Sequence, residues 1–438
     1  MTNKRSIRFI DLFAGMGGFR IGFESAGRDL DTNTHCVFSS EIKEAAITAY
    51  QQNFNETPSG NIEEINAKDI PDFDILLAGF PCQPFSSAGN REGFLDTRGT
   101  LFFEIERILK EKKPHGFILE NVDGLINHDK INPSDPIGRT LDVMLKSLKS
   151  LGYNVTWKLL NSSDFGLAQS RKRVFIVGSL NSKIPLNDFH KKSVKLKDIL
   201  ESGLPTLKSN IAKILLEKFR PDQLFGKSIK DKRGGENNIH SWELELKGPC
   251  TDDQKKLLSE LLKARRNKKW ADIIGIQWMD GMPLTCEQIY TFFPHENLQE
   301  MLDDLTSKKY LKLEHPKDLM FVQNKNGVLS KRRMPRTDLP KGYNIVAGKM
   351  SYEISKILDP EGLAPTLVAM DIDRLVVVDN DGLRNLSDIE QKRLFGFPDN
   401  YNLSNLSIVD RFDLFGNTVP IPVVTELSKL LIKDFLSS

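Results

Sequence analysis

Cysteine is scarce in this chain: four in 438 residues, at positions 36, 82, 250 and 286, with no CxxC pair among them. That pattern excludes a disulfide framework and a cysteine zinc site, and it points to a reducing cytoplasm. Uncharged apolar runs approaching about 18 residues are also absent, so no membrane-spanning helix is expected. The N-terminal MTNKRSIRFIDLF lacks an apolar signal-peptide core ending in a small-residue cleavage site. Nor is there an excess of one charge: 61 basic residues face 59 acidic ones, for a net +2, so composition alone announces no polyanionic partner. What is present is ordinary for a folded protein. Hydrophobic residues make up 39% and charged residues 27%, which excludes wholesale disorder. A chain of 438 residues implies two or three domains of about 150 residues each, large enough to need no covalent or metal staple.

The basic residues are bunched even though their total is balanced. Residues 255–269 (KKLLSELLKARRNKK) hold seven basic residues and one acid, and residues 325–341 (KNGVLSKRRMPRTDLPK) hold six and one. A single such run is commonly a solvated face. Two in the same half of the chain point to a surface that meets phosphate.

The first 180 residues alternate strand-like and helix-like segments. Apolar runs at 7–13, 35–40, 74–79 and 116–120 read as strands, with helical spacing at 17–27, 42–54, 100–112 and 138–151 between them. Strands at 153–160 and 173–179 close the series. This predicts an α/β fold with a doubly wound, mostly parallel sheet, whose ligands sit outside the carboxyl ends of the strands. From about Asn181 to residue 365 the pattern loosens into charged helical stretches, glycine-rich loops and short strands, which reads as a second, irregular domain. Residues 419–436 (VPIPVVTELSKLLIKDFL) read as a proline-started amphipathic helix.

Four motifs fall at the predicted strand ends. The first, DLFAGMGGF at 11–19, is a glycine turn opening a helix, where a ligand approaches the backbone closely. A GxGxxG fingerprint would need Gly at position 20, where Arg20 stands, so a dinucleotide site is disfavoured. Glu41, after the second strand, is placed to accept both ribose hydroxyls of a nucleoside cofactor. The second motif, GFPCQPFS at 79–86, displays Cys82 at the end of an apolar strand in a loop stiffened by Pro81 and Pro84. Such a cysteine is a candidate nucleophile, the alternative being a small buried hydrophobe. The third is Glu120-Asn121-Val122, where a carboxylate leaving an apolar strand acquires a raised pKa and becomes a candidate proton donor. The fourth, QSRKR at 169–173, places Arg171 and Arg173 in alternation, on one face of a strand.

Taken together and in this order, these motifs resemble the DNA cytosine-5 methyltransferase family of bacterial restriction–modification systems. Gly416-Asn417-Thr418-Val419 resembles the family's C-terminal motif, and residues 384–398 the segment before it. The resemblance covers roughly residues 7–180 and 360–438. It implies a Rossmann-like catalytic and cofactor-binding domain over 1–182, a variable target-recognition domain over 183–365, and a return segment, 366–438, whose helix completes the first domain. It also implies S-adenosylmethionine as methyl donor with no metal required, and double-stranded DNA as substrate. The implied catalytic residues are Cys82, Glu120, Arg171 and Arg173. The implied cofactor contacts are Asp11, Phe13, Gly15, Gly17, Gly18, Glu41, Asn61, Ile62, Pro81, Asn417 and Val419, and the implied DNA contacts are Gln83, Ser86, Ser87, Arg98 and Thr366. The loop 86–99 would close over a flipped base.

The sequence departs from the family pattern at Asn61 (often Asp), Ile42 (sometimes aromatic), Ala168 (commonly Pro) and Thr418 (commonly Ser). None of these removes a catalytic group, so an active, monomeric, cytoplasmic enzyme without membrane association is expected, functionally paired with a cognate restriction endonuclease. Two rival readings are methylation of cytosine in transfer RNA and a non-catalytic DNA-binding protein on the same fold. The large middle block argues against the first, and the presence of both Cys82 and Glu120 against the second.

Overall fold

The structure, a computed structural model, describes residues 6–81, 101–323, 329–346 and 352–438, with the backbone alone for 329 and 330. The chain divides into two compact units: Met1–Ser202 with Asp359–Ile372 and Leu386–Ser438, and Gly203–Leu358 with Asp373–Asn385.

The first unit is built on six strands and four helices in chain order: β1 (Ser6–Leu12), α1 (Gly18–Asp29), β2 (Asn33–Ser40), α2 (Glu44–Phe54), β3 (Ile75–Gly79), α3 (Leu101–Lys112), β4 (Gly116–Val122), α4 (Arg139–Ser150), β5 (Asn154–Asn161) and β6 (Lys172–Ser179). The sheet runs β2-β1-β3-β4-β6-β5. β2, β1, β3 and β4 pair in parallel, whereas β6 lies antiparallel to both β4 and β5. The reversal follows from the connection. Only residues 162–171 join β5 to β6, too short for the crossover of a dozen or more residues that parallel neighbours require.

Side chains alternate across this sheet into two cores. Ile10, Leu12, Leu76, Ala78, Phe117 and Leu119 pack with Phe102 and Ile105 of α3 and Met144 of α4. Ile7, Phe9, Ile75, Leu77 and Ile118 pack on the other face with Phe19 and Phe23 of α1. Val423, Val424, Leu427 and Leu431 of the C-terminal helix Ile421–Leu436 join that second core. Close approach to this helix is why residue 22 is glycine: a Cβ there would stand 2.6 Å from Cγ1 of Val424.

The second unit has a five-stranded sheet in the order 382–385, 375–379, 356–357, 228–229, 238–239. Ile211 and Leu215 of the helix Asn210–Lys218 pack on it beside Val376 and Leu383. A separate cluster gathers Leu257, Leu258 and Leu261 of the helix Asp252–Ala264, Leu302 and Leu305 of the helix Leu298–Ser307, and the paired strands Leu311–Glu314 and Gly342–Ile345. Strands Lys317–Gln323 and Leu329–Pro335 form an isolated antiparallel ribbon.

The unit boundaries differ from those expected at 182/183 and 365/366. Ile184 and Leu186 pack in the first unit's core with Phe165 and Phe175, which draws the segment up to residue 202 into that unit. The return segment is itself split, because strands Leu375–Asp379 and Gly382–Asn385 complete the second unit's sheet. Among the described residues no helix is long and apolar enough to cross a membrane.

Candidate active site

A cavity of about 470 Å³ opens in the first unit at the carboxyl ends of β1–β4. Its lining includes Phe13, Gly15, Glu41, Asn61, Ile62, Pro81, Glu120, Arg171, Arg173 and Asn417. These residues, scattered over 400 positions of sequence, meet because each lies at or just beyond a strand end or on the chain returning to the sheet.

One end of the cavity is shaped by the glycine turn. Phe13 adopts a left-handed φ of 55°, and the Gly17 amide donates to the carbonyl of Ala14 at 2.8 Å. Gly17, at φ 76°, lies against the ring of Phe54, where a Cβ would come within 2.3 Å. Glu41 is held across this turn by three backbone donors. Its Oε2 accepts from Gly15 N at 2.8 Å, and its Oε1 accepts from Ile42 N at 2.8 Å and Lys43 N at 2.9 Å. A carboxylate offers about four lone-pair sites, so one is left for a further donor with the group's orientation already fixed. Asn61 caps the short turn Ile62–Glu64: its Oδ1 accepts from Glu63 N at 3.2 Å, and its Nδ2 donates to Glu64. That leaves the amide oxygen a single lone pair for a further donor.

Four residues expected at the cofactor stand behind the cavity rather than in it. Asp11 is fully buried within β1. Burial pushes its carboxyl well above the ordinary carboxylate range, against a smaller opposing pull from Arg20. Gly17 faces Phe54, and Gly18 and Val419 pack against each other.

At the other end, Glu120 emerges from β4 and is 9% exposed. Nε of Arg173 lies 2.9 Å from its Oε1. Burial raises the Glu120 pKa, and the nearby charges of Arg173 and Arg171 pull it partly back. Asn121 is buried and donates to the carbonyl of Phe80 at 3.2 Å, which fixes the chain entering Pro81. Cys82, Gln83, Ser86, Ser87, Arg98 and the whole loop 86–99 lie outside the described residues.

Arg171 and Arg173, expected to act alike, differ. Arg171 is 1% exposed. It donates to the carbonyls of Leu367 (3.2 Å), Gly416 (3.0 Å) and Thr418 (2.9 Å), and its guanidinium lies 5.3 Å from the Phe395 ring centroid. Those bonds join the start of β6 to the returning chain. Thr366 donates its hydroxyl to the Ser170 carbonyl at 2.8 Å, in the same seam.

Sequence reasoning missed several residues that shape the cavity. Arg20 makes a bidentate contact with Glu56 at 2.6 and 3.0 Å and stacks 4.4 Å from the Phe54 ring centroid, bracing the glycine turn from behind. Its presence where a third glycine would stand was the available signal. Arg107 of α3 donates to the carbonyls of Ile62 (3.1 Å) and Ile65 (2.9 Å). Lys43 and Asp413 pair at the cavity's rim. Neither of these last two carries a local sequence signal.

A profile described as C-5 cytosine-specific DNA methylase matches residues 7–433. The chain belongs to that family. Among its curated relatives, the Type II methyltransferase M.NlaIV of Neisseria lactamica is 58% identical over 429 residues, covering 98% of this chain and 99% of that protein. M.NgoBV of Neisseria gonorrhoeae is 56% identical with the same coverage, and M.BanI of Aneurinibacillus aneurinilyticus is 40% identical over 98% of this chain and 96% of its own length. The solved structure of the Entamoeba histolytica methyltransferase EhMeth covers 99% of each chain at a TM-score of 0.52 and 16% identity, a likeness of fold. This enzyme is a DNA cytosine-5 methyltransferase of the restriction–modification type.

Proposed function

We propose that the enzyme transfers a methyl group from S-adenosylmethionine to C5 of a cytosine extruded from a specific duplex sequence, through a transient bond between Cys82 and C6. The observation that carries this reading is one cavity with two equipped ends: a ribose-ready carboxylate at Glu41, and a buried acid, Glu120, held 2.9 Å from Arg173.

The donor fits the first end. The fixed carboxylate of Glu41 suits two vicinal hydroxyls, Phe13 and Ile62 offer apolar surface to an adenine, and Asn61 and Asn417 supply polar edges. When bound, S-adenosylmethionine supplies an electrophilic methyl on a sulfonium.

Cytosine C5 is a weak nucleophile until the ring's conjugation is broken. Cys82 as thiolate adds to C6, and the displaced electron pair moves into the ring toward N3. Glu120 meets the N3/N4 edge and donates the proton that neutralises it, which its raised pKa favours. Arg173 orients Glu120 and faces the O2 side. Arg171 positions the seam behind them. C5, now enamine-like, takes the methyl group and the N3 proton returns to Glu120; loss of the C5 proton to a water molecule and expulsion of the sulfur then restore the ring and Cys82. The target atoms lie inside a base stack, so flipping is required, and Gln83, Ser86, Ser87, Arg98 and Thr366 are the proposed DNA contacts. The enzyme works as a monomer in the bacterial cytoplasm, and the modified sequence is shielded from a partner endonuclease.

A duplex library containing 5-fluorocytosine, incubated with the protein and S-adenosylmethionine, is expected to leave a covalent complex that survives denaturation and maps to Cys82. Cys82→Ala is expected to form none and to transfer no labelled methyl. Methyl transfer to C5 by that variant would refute the mechanism.

A further inference from the structure

The two basic runs lie on different elements of the second unit, the helix Asp252–Ala264 with the residues that follow it and the strand Leu329–Pro335. In the first, Lys255 pairs with Glu245 at 2.6 Å, Arg265 is buried and donates to Asn344 at 2.6 Å, Arg266 pairs with Asp280 at 2.6 Å, and Lys269 lies 4.2 Å from the Trp270 ring centroid. Lys256, Lys263 and Lys268 of the same run are exposed. The second run forms one strand of the ribbon, Lys317–Gln323 paired with Leu329–Pro335. Among the described residues the ribbon contributes no side chain to these two core clusters of the unit. Phe321 is 69% exposed, Met320 47% and Met334 39%.

Register divides the ribbon's faces. Leu319 stands opposite Arg333 and Phe321 opposite Lys331 on one face. On that face Arg333 donates to the carbonyl of Trp278 at 3.0 Å, and Lys331 lies 5.2 Å from the Phe321 ring centroid, a contact within the ribbon. On the other face Met320 stands opposite Arg332, and Met334, two positions along the same strand, stands opposite Asp318, whose carboxylate accepts from Gln277 N at 3.0 Å and lies 3.5 Å from Arg336. Arg332 is exposed and, among the described residues, has no side-chain partner.

We infer that this ribbon enters the major groove of the DNA substrate and that Arg332, flanked by Met320 and Met334, reads base edges there. The major groove is about 12 Å wide and admits a two-stranded ribbon, whose strands lie about 4.8 Å apart. An unpaired guanidinium matches the paired acceptors O6 and N7 of guanine, and the methionine methyl groups match the apolar edge of a neighbouring pyrimidine. The positive charge suits the phosphate walls on either side. This assignment rests on duplex DNA being the substrate.

The test is bisulfite sequencing of a randomised duplex library methylated by the full-length protein. Arg332→Lys keeps the charge and loses the planar fork. It is expected to relax discrimination at one or two base pairs by about 5- to 150-fold while the thermal midpoint stays unchanged. Lys263→Ala, on the exposed side of the helix Asp252–Ala264, is expected to leave the context profile intact. A wild-type profile in Arg332→Lys, with only Arg332→Ala weakening all contexts equally and flattening the salt dependence, would reduce Arg332 to a phosphate contact and overturn the assignment. Wild-type protein that modified transfer RNA and no duplex would overturn the DNA substrate itself, a failure visible before any variant is compared.

Discussion

Glu120 carries two opposed influences, burial that favours its neutral form and an arginine that favours its charged one. Chemistry that needs the neutral acid must decline as pH rises through the raised pKa. Replacing Arg173 by Gln removes the opposing influence, so the alkaline limb of kcat is expected to move to higher pH, while the maximal rate falls by about 10²–10³-fold through loss of an oriented cation. A limb that moved down, or stayed, would show that Glu120 is not the group titrating. At this scale the sequence was informative where a polar residue ends an apolar strand, as with Glu41 and Glu120. It could not separate Arg171 from Arg173. The two share a spacing, and the partners that distinguish them, such as the Thr418 carbonyl, come from as far as 247 positions away.

Among the elements, the seam between the start of β6 and the returning chain depends on few bonds. Gln169 donates to the Leu394 carbonyl at 3.1 Å and accepts from Leu367 N at 3.2 Å, and Arg171 closes the same gap with three carbonyls. Arg171→Lys cannot reach three carbonyls with one ammonium. It is expected to lose about 3 kcal/mol of stability in urea unfolding, whereas Arg173→Lys loses rate with little change in the midpoint. Equal destabilisation by the two would contradict the division of labour. The inner strands β3, β4 and β6 were legible because both their faces are buried, which makes them near-continuous apolar runs. The antiparallel direction of β6 was not read from hydropathy, because its signal is the short connection between the expected strands 153–160 and 173–179. Strands as short as Lys356–Ile357 hold too few residues to show any period.

For the molecule as a whole, one unit is assembled from three stretches of chain and the other from two. The first unit's core takes Leu427, Leu431 and Ile432 from the far end of the sequence. The ordered motifs marked the two flanks of the chain that lie in the first unit, but its edges fall at 202 and 359 and not at the expected 182 and 366. The excursion at 373–385 was hidden because it sits between two family-like segments and leaves no compositional mark. It has a practical consequence for exchanging sequence specificity between enzymes of this kind. A transplant limited to residues 203–358 would deprive the foreign piece of the edge formed by Leu375–Asp379 and Gly382–Asn385, and would leave those host strands facing an unmatched neighbour. Chimaeras that carry the donor's own counterpart of 373–385 are expected to remain folded and to acquire the donor's methylation context. Those without it are expected to aggregate or to melt at lower temperature, as calorimetry would reveal. A swap restricted to 203–358 that kept full stability and switched context would refute this two-piece cassette.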